Sequence, residues 1–101
     1  MIELHLRGRV AAGRRADLVR LLAEAIPFYE RPGGIRVRVL WDLANPDRFV
    51  EIIEYADQDS HDRDQLRVEP DPEMIAYLHR WRELLAGPPQ VSMPRNRSCA
   101  P

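Results

Sequence analysis

Residues 31–42 read RPGGIRVRVLWD, and this stretch decides the fold. A proline and two glycines end a preceding helix, because glycine adopts the backbone conformations that close one. After the glycines, apolar and polar side chains alternate, which predicts a β-strand with one buried face. The other face carries Arg36, Arg38 and Leu40. This arginine-bearing face can be solvated, be buried against a partner, or face a ligand.

Residues 48–56 alternate in the same way and predict a second strand. The short link LANPDR makes the two strands an antiparallel hairpin. A register that pairs Trp41 with Phe49 also pairs Arg36 with Glu54. Opposite charges that face each other across two strands favour this register.

One carboxylate of the hairpin intrudes on the apolar face. The register above places Glu51 there, whereas a slip by one residue places Glu54 there, and a local bulge is a third solution. Burial in apolar surroundings raises the pKa of a carboxyl group, and such groups mark functional sites more often than chance. The alternative is a structural ion pair, for which Arg82 on the last predicted helix is well placed.

The remaining segments complete an α+β fold. Strands are predicted at residues 2–10 and 91–93, helices at 14–30 and 72–86, and a loop with a short exposed helix at 57–69. Gly8 is a candidate bulge in the first strand. The order strand, helix, strand, strand, helix, short strand is a ferredoxin-like split βαβ arrangement. We expect the two main helices to cover one face of the sheet.

Length and composition set further bounds. The 101 residues predict one domain over residues 1–93 and a flexible C-terminal tail over 94–101. A net charge of −1 gives no basic excess for nucleic acid, and no apolar run approaches the ~20 residues that cross a membrane. No signal peptide is expected, because residues 1–10 already have a strand pattern. The single cysteine, Cys99, allows no disulfide within one copy, which favours the cytoplasm.

The sheet face opposite the helices mixes His5, Arg7, Arg36 and Arg38 with apolar side chains such as Leu40. It is too apolar to be simply solvated and too charged to be an ordinary core. A second copy that packs sheet against sheet explains it. We therefore predict a homodimer whose seam is the arginine face, paired with carboxylates such as Glu54.

The order of elements resembles the dimeric α+β barrel superfamily, and within it the antibiotic biosynthesis monooxygenase-like families. The residues that carry this resemblance are Pro32-Gly33-Gly34-Ile35, Pro46-Asp47-Arg48-Phe49-Val50-Glu51 and Glu54-Tyr55-Ala56-Asp57. The resemblance covers roughly residues 1–93. It implies a cofactor-free monooxygenase-like tailoring enzyme that binds a small aromatic or polyketide-like substrate in a hydrophobic pocket, where the substrate itself reduces O2.

The resemblance also implies two alternative functions, because members of the same superfamily have them. One is a polyketide cyclase or isomerase that uses histidine and tyrosine as acid–base groups. The other is a non-catalytic small-molecule-binding or stress-responsive protein. The chain resembles the cyclases in His5 and in Trp81 with Leu84-Leu85. Many oxygenase-like members carry a histidine eleven residues after the third-strand glutamate, where this chain has Gln65, and the first strand lacks the asparagine of the haem-degrading members.

The candidate site residues form two groups. Histidine is a general acid or base near neutral pH, and a buried tyrosine donates a hydrogen bond to an enolate or phenolate. The candidate catalytic residues are His79, Tyr55, Glu54 and His5. The candidate substrate-binding residues are Tyr29, Trp41, Phe49, Glu51, Tyr77 and Trp81. The alternative is that the histidines lie at interfaces without a catalytic role and the aromatic residues form the core.

A cleft beside the last helix distinguishes these alternatives. A volume of about 300 Å³ or more favours an enzyme, whereas a cleft filled by aromatic side chains makes them core. No metal site is predicted. Residues 57–68 resemble a calcium loop in their first and third positions, but Asp62 replaces the required glycine and Val68 the required glutamate. The histidines share no ligand spacing, and His61 is expected at the surface.

Overall fold

The structure is a computed structural model that describes residues 2–68 and 71–93. Its elements are β1 (Ile2–Arg9), α1 (Arg15–Glu30), β2 (Ile35–Trp41), β3 (Arg48–Tyr55), α2 (Gln58–Val68), α3 (Pro72–Glu83) and β4 (Gln90–Ser92). The four strands form one antiparallel sheet in the order β2-β3-β1-β4. This topology confirms the predicted ferredoxin-like α+β fold. The predicted tail at residues 94–101 lies outside the described residues.

The hairpin of β2 and β3 adopts the register that its charges favour. Trp41 faces Phe49, and Val39 faces Glu51, in a continuous ladder without a slip or bulge. Because side chains alternate along a strand, Glu51 lies on the face covered by the helices and Glu54 lies on the open face.

Strand β1 also pairs with β3 without interruption, and Gly8 stands opposite Phe49. The candidate bulge at Gly8 is therefore wrong. The glycine is explained by packing instead, since a Cβ there would lie 3.0 Å from Cζ of the buried Phe49 ring. Glycine leaves the space that this ring occupies.

The helix ends follow from local chemistry. Gly33 and Gly34 have φ angles of 83° and 72°, a region that side chains rarely adopt, and they turn the chain from α1 into β2. Asp71 caps α3 by accepting hydrogen bonds from the amides of Glu73 and Met74. The prediction that this last helix reaches residue 86 is wrong. It ends at Glu83 because the chain turns there and pairs with the end of β1.

The core lies between the helices and one face of the sheet, in two clusters. The first consists of Val10, Leu18, Leu21, Leu22, Phe49, Trp81, Leu84 and Leu85. The second consists of Ala25, Phe28, Tyr29, Ile35, Val37, Tyr55 and Met74. The helix α2 differs from α1 and α3. Within residues 58–67 the side chains that it buries are polar, namely Ser60 and Asp64.

The opposite face of the sheet is open in the described part of the subunit. Arg38 Nε lies 2.9 Å from a Glu54 oxygen, and His5 Nε2 lies 3.0 Å from a Glu3 oxygen. Ile52 is buried between these polar neighbours, whereas Leu40 is 48% exposed. This face therefore has the mixed character that the sequence predicts.

Candidate functional site

A cavity of about 180 Å³ lies between the sheet and the three helices. Its walls are Leu4, Leu6, Tyr29, Ile35, Glu51, Ile53, Tyr55, Asp64, Gln65, Met74, Leu78, Trp81, Arg82, Pro89 and Val91. The volume is below the range of about 300–1,000 Å³ usual for ligand pockets. It is close to the ~150 Å³ of an apolar cavity that binds benzene. The space is therefore small, but the aromatic side chains do not fill it.

Glu51 is the most unusual group in this cavity. It projects from β3, the strand between β2 and β1, and lies opposite Leu6 and Val39. The residue is 3% exposed, and its Oε1 has no hydrogen-bond partner among the described residues. Burial raises the pKa of Glu51 to about 7. Arg82 also lines the cavity, but no ion pair joins it to Glu51 in the part of the chain that the structure describes.

The second buried carboxyl group of the cavity is fully engaged. The Tyr55 hydroxyl donates to Asp64 Oδ2 at 2.7 Å, and Arg67 donates to Asp64 Oδ1 at 3.2 Å. Arg67 also donates to the carbonyl oxygens of Phe28 and Tyr29, at the end of α1. Burial and the bond to Asp64 raise the pKa of Tyr55, so its hydroxyl stays protonated. These contacts fasten α2 to β3 and α1 over the cavity.

Two further aromatic residues that line the cavity carry buried polar atoms. Burial, and the nearby charge of Glu51, raise the pKa of Tyr29. Trp81 is buried, and its Nε1–H has no acceptor among residues 2–68 and 71–93. Two residues that line the cavity, Glu51 on the sheet and Trp81 on α3, thus carry a buried acceptor and a buried donor without partners among the described residues.

Four of the predicted site residues meet in the cavity: Tyr29, Glu51, Tyr55 and Trp81. The proposed catalytic residues His79, His5 and Glu54 do not. The His79 side chain is 73% exposed and lies 3.0 Å from Glu83, outside the cavity. His5 and Glu54 lie on the open face of the sheet.

The other predicted aromatic residues lie elsewhere. Trp41 and Phe49 border an open groove of about 700 Å³ at the end of the sheet, whose basic residues are Arg7, Arg9 and Arg48. Tyr77 packs its ring on Phe28 and Tyr29, and its hydroxyl reaches Glu24 at 3.4 Å. The groove is larger than the cavity, but it is open and contains no unpaired buried group of the described residues. We therefore assign the candidate site to the cavity.

The α2 wall of the site was missed by the sequence analysis. Gln65 lines the cavity at the position, eleven residues after Glu54, where many oxygenase-like relatives have histidine. The spacing of eleven residues from Glu54 is the sequence signal that could have placed Gln65 in the site. His61, which was expected at the surface, has a side chain only 15% exposed, and its ring stands edge-on to Tyr55 with centroids 5.1 Å apart.

Residues 2–68 and 71–93 also bear on two other classes of function. They contain no group of three or more His, Cys, Asp or Glu side chains placed to hold a metal ion. None of their helices has the length and apolar character needed to cross a membrane.

An antiparallel ferredoxin-like sheet with a small cavity under its helices defines the class of this protein as a ferredoxin-like α+β fold. Residues 1–63 match the family described as antibiotic biosynthesis monooxygenase, and the chain belongs to that family. No curated protein sequence matches it significantly.

Several solved structures share the fold. A putative antibiotic biosynthesis monooxygenase from Bordetella bronchiseptica is 27% identical, with a TM-score of 0.69 over 95% of this chain and 96% of that one. A conserved protein from Methanosarcina mazei Go1 is 18% identical, with a TM-score of 0.81 over 95% and 92% of the two chains. SnoaB, a cofactor-independent oxygenase from Streptomyces nogalater, is 20% identical, with a TM-score of 0.77 over 95% and 92%. At their levels of identity, the last two indicate a shared fold alone.

Proposed function

We propose that the protein is a cofactor-independent, monooxygenase-like enzyme that acts on a small aromatic substrate in the cavity, with Glu51 as the general base. The observation that carries this proposal is the buried carboxyl group without a partner in a largely apolar and aromatic cavity. Membership of the family, and the fold shared with SnoaB, support the class of reaction.

The environment of Glu51 suits it to take a proton from a phenol. Phenols have a pKa near 10, whereas Glu51 has a pKa of about 7. The raised pKa makes the Glu51 carboxylate a stronger base towards a phenol than an ordinary glutamate. At pH 7 about half of Glu51 is ionised and ready to act. The neutral Gln65 cannot replace it in this role.

The reaction needs only substrate and O2. Glu51 takes the hydroxyl proton of an electron-rich dihydroxyarene, and the resulting phenolate gives one electron to O2, which leaves a substrate radical and superoxide. These two combine in a C–O bond at a ring carbon. The hydrogen of that carbon then leaves as a proton, the O–O bond breaks, and the departing oxygen takes two protons to become water. The products are one hydroxyquinone and one water molecule for each O2.

Oxygen uptake with a panel of dihydroxyarenes tests the proposal. We expect Glu51→Gln to lower the rate at least ~100-fold, the usual contribution of a general base. The rate should rise with pH through about 7, because the ionised carboxyl group acts. Glu73→Gln, which removes an exposed carboxylate from α3, is the matched control and should retain full activity. A Glu51→Gln enzyme as active as the wild type would refute the role of Glu51.

A cyclase or isomerase is the second candidate, and one observation favours it. The largely buried His61 contacts Tyr55, which lines the cavity. His61 itself does not line the cavity, and its Nδ1 lies 3.1 Å from Asp62. Because cyclisation consumes no O2, substrate conversion in the absence of O2 would favour the cyclase. Binding without conversion under either condition would favour the non-catalytic alternative.

We also propose that the open face of the sheet is the seam of a homodimer, as the resemblance implies. The carboxylates Glu3 and Glu54 face each other towards one end of β1, and Arg9 and Arg48 face each other at the other end. A two-fold-related copy whose strands run the opposite way would set the acidic end of each subunit against the basic end of its partner. Apolar side chains between these ends, such as Leu40, would be buried by the contact.

Sedimentation equilibrium of matched variants tests the seam. Leu40→Glu places a charge on the open face, and Val19→Glu places the same charge on α1 at nearly the same starting exposure, 48% against 46%. We expect the wild type and Val19→Glu to be dimers and Leu40→Glu to be a monomer at micromolar concentration. A dimeric Leu40→Glu variant would exclude this face.

A further inference from the structure

We infer that the cavity takes an uncharged one-ring phenol with a second oxygen atom and excludes polycyclic substrates. The inference deepens the proposed function, because it concerns the same cavity and names the class of molecule that occupies it. Its first support is size. The cavity of about 180 Å³ is close to the ~150 Å³ of a cavity that binds benzene, which leaves room for one ring with small substituents.

The second support is the set of buried polar atoms that the protein leaves unpaired. Within the described residues these atoms are Glu51 Oε1, Trp81 Nε1 and Arg67 Nε, and the first two belong to residues that line the cavity. Buried polar atoms in folded proteins nearly always have partners, so an exception calls for an explanation. By contrast, the Asp64 oxygens already accept hydrogen bonds from the Tyr55 hydroxyl and from Arg67.

The two unpaired atoms, Glu51 Oε1 and Trp81 Nε1, belong to residues that line the cavity, and pairing them requires complementary groups on a ligand. Glu51 Oε1 requires a hydroxyl donor, which a phenol supplies, and Trp81 Nε1–H requires an oxygen acceptor, which a second hydroxyl or a carbonyl supplies. An ionised carboxyl group on the ligand would meet the like charge of Glu51, with which no guanidinium is paired in the described chain. The ligand is therefore neutral. Met74, Leu78 and Ile53 supply apolar contacts for its ring.

Calorimetric titration of the whole chain without O2 tests the inference separately from catalysis. Hydroquinone and resorcinol are the one-ring probes, naphthohydroquinone is the two-ring probe, and anthrone is the three-ring probe. We expect the one-ring probes to bind and anthrone to give no measurable binding. Trp81→Phe should lower the affinity for hydroquinone about tenfold, which corresponds to the loss of one buried hydrogen bond. Trp41→Phe, whose indole lies outside the cavity, should bind as the wild type does.

The outcomes separate the inference from the proposed function. Anthrone bound or oxidised by a protein that does not bind the one-ring probes would overturn the inference and leave the monooxygenase-like function standing. One-ring probes that bind but cause no uptake of O2 would support the inference and overturn the function. Equal weakening by Trp81→Phe and Trp41→Phe would overturn the role of the Trp81 indole, and the size series on the wild-type chain would still decide the rest.

Discussion

Two buried carboxyl groups line the same cavity, but only one of them has hydrogen-bond partners among the described residues. Asp64, on α2, is 8% exposed and accepts hydrogen bonds from Tyr55 and Arg67. Glu51, on β3, is 3% exposed, and its Oε1 has no partner among the described residues. The two sites differ little in burial, so the surroundings of each carboxyl group make the difference.

This difference separates a structural role from a functional one. A buried carboxylate with two donors helps to hold the structure together, because removing it would leave those donors unsatisfied. A buried carboxyl group without a partner lowers stability whenever it is ionised, since desolvation is not offset. Glu51 is such a group. Its proposed role as a catalytic base would explain why the protein keeps it despite the loss of stability. Substitutions at the two positions should consequently change stability in opposite directions.

The largest expected effect is that of Glu51→Gln on stability at high pH. The pKa of about 7 in the folded state lies above the ordinary 4.5, so the folded protein binds this proton more tightly than the unfolded chain. The stabilising contribution is complete below pH 4.5 and is lost as the pH rises through 7. The loss is on the order of 3 kcal/mol.

Denaturant titration near about pH 4 and about pH 9 checks this effect. Between these two pH values the wild type should lose roughly 3 kcal/mol of unfolding free energy relative to Glu51→Gln. Glu73→Gln removes an exposed carboxylate and serves as the control for charge alone. A difference that does not depend on pH would mean that Glu51 has a partner in solution.

The opposite sign is expected for Asp64→Ala. This substitution leaves the Tyr55 hydroxyl without its buried acceptor, and Arg67 keeps only the carbonyl oxygens of Phe28 and Tyr29. We expect a loss of roughly 2 kcal/mol in the free energy of unfolding near neutral pH, measured by denaturant titration. Tyr55→Phe removes one of the two bonds and should cost about 1 kcal/mol. If Asp64→Ala were as stable as the wild type, the contrast with Glu51 would disappear.

The sheet wall of the site could be predicted from the sequence because strand chemistry is local. Alternation in residues 35–41 and 48–55 assigns side chains to faces, and the Arg36–Glu54 pair favours the observed register, whereas the sequence alone leaves a slip by one residue or a bulge open. Once that register is chosen, Glu51 must lie under the helices. Its raised pKa then follows from burial alone.

The helix wall could not be predicted in the same way. Periodicity assigns Met74, Ile75, Leu78 and Trp81 to the apolar stripe of α3, but it does not say how far the buried arc extends. In the structure Ile75 is 49% exposed and lies on the solvent side with His79. The helix α2 has no apolar stripe to indicate its inner face. Its orientation depends on contacts with distant residues, such as those of Arg67 with the end of α1.

The two walls should also differ in local stability. Between residues 58 and 67, α2 buries polar side chains only, so opening it exposes little apolar surface. Elements with few buried apolar contacts open at low free energy. Hydrogen exchange should therefore show at least about tenfold lower protection for α2 amides than for β3 amides. Asp64→Ala should lower the protection of α2 further. Equal protection of the two walls would mean that α2 opens only with the whole domain.

The smallest effect is expected for Glu54, the carboxylate of β3 that lies on the open face. Glu54 pairs with Arg38, whose side chain is 52% exposed, and such pairs contribute about 0.5 kcal/mol because water and salt screen them. A double-mutant cycle with Arg38→Ala and Glu54→Gln measures this coupling. In the Leu40→Glu background, where we expect a monomer, the coupling should stay near that value and fall with added salt. In the wild type it should exceed about 1 kcal/mol, because the proposed seam would remove the pair from water. Equal coupling in both backgrounds would mean that no partner covers this face.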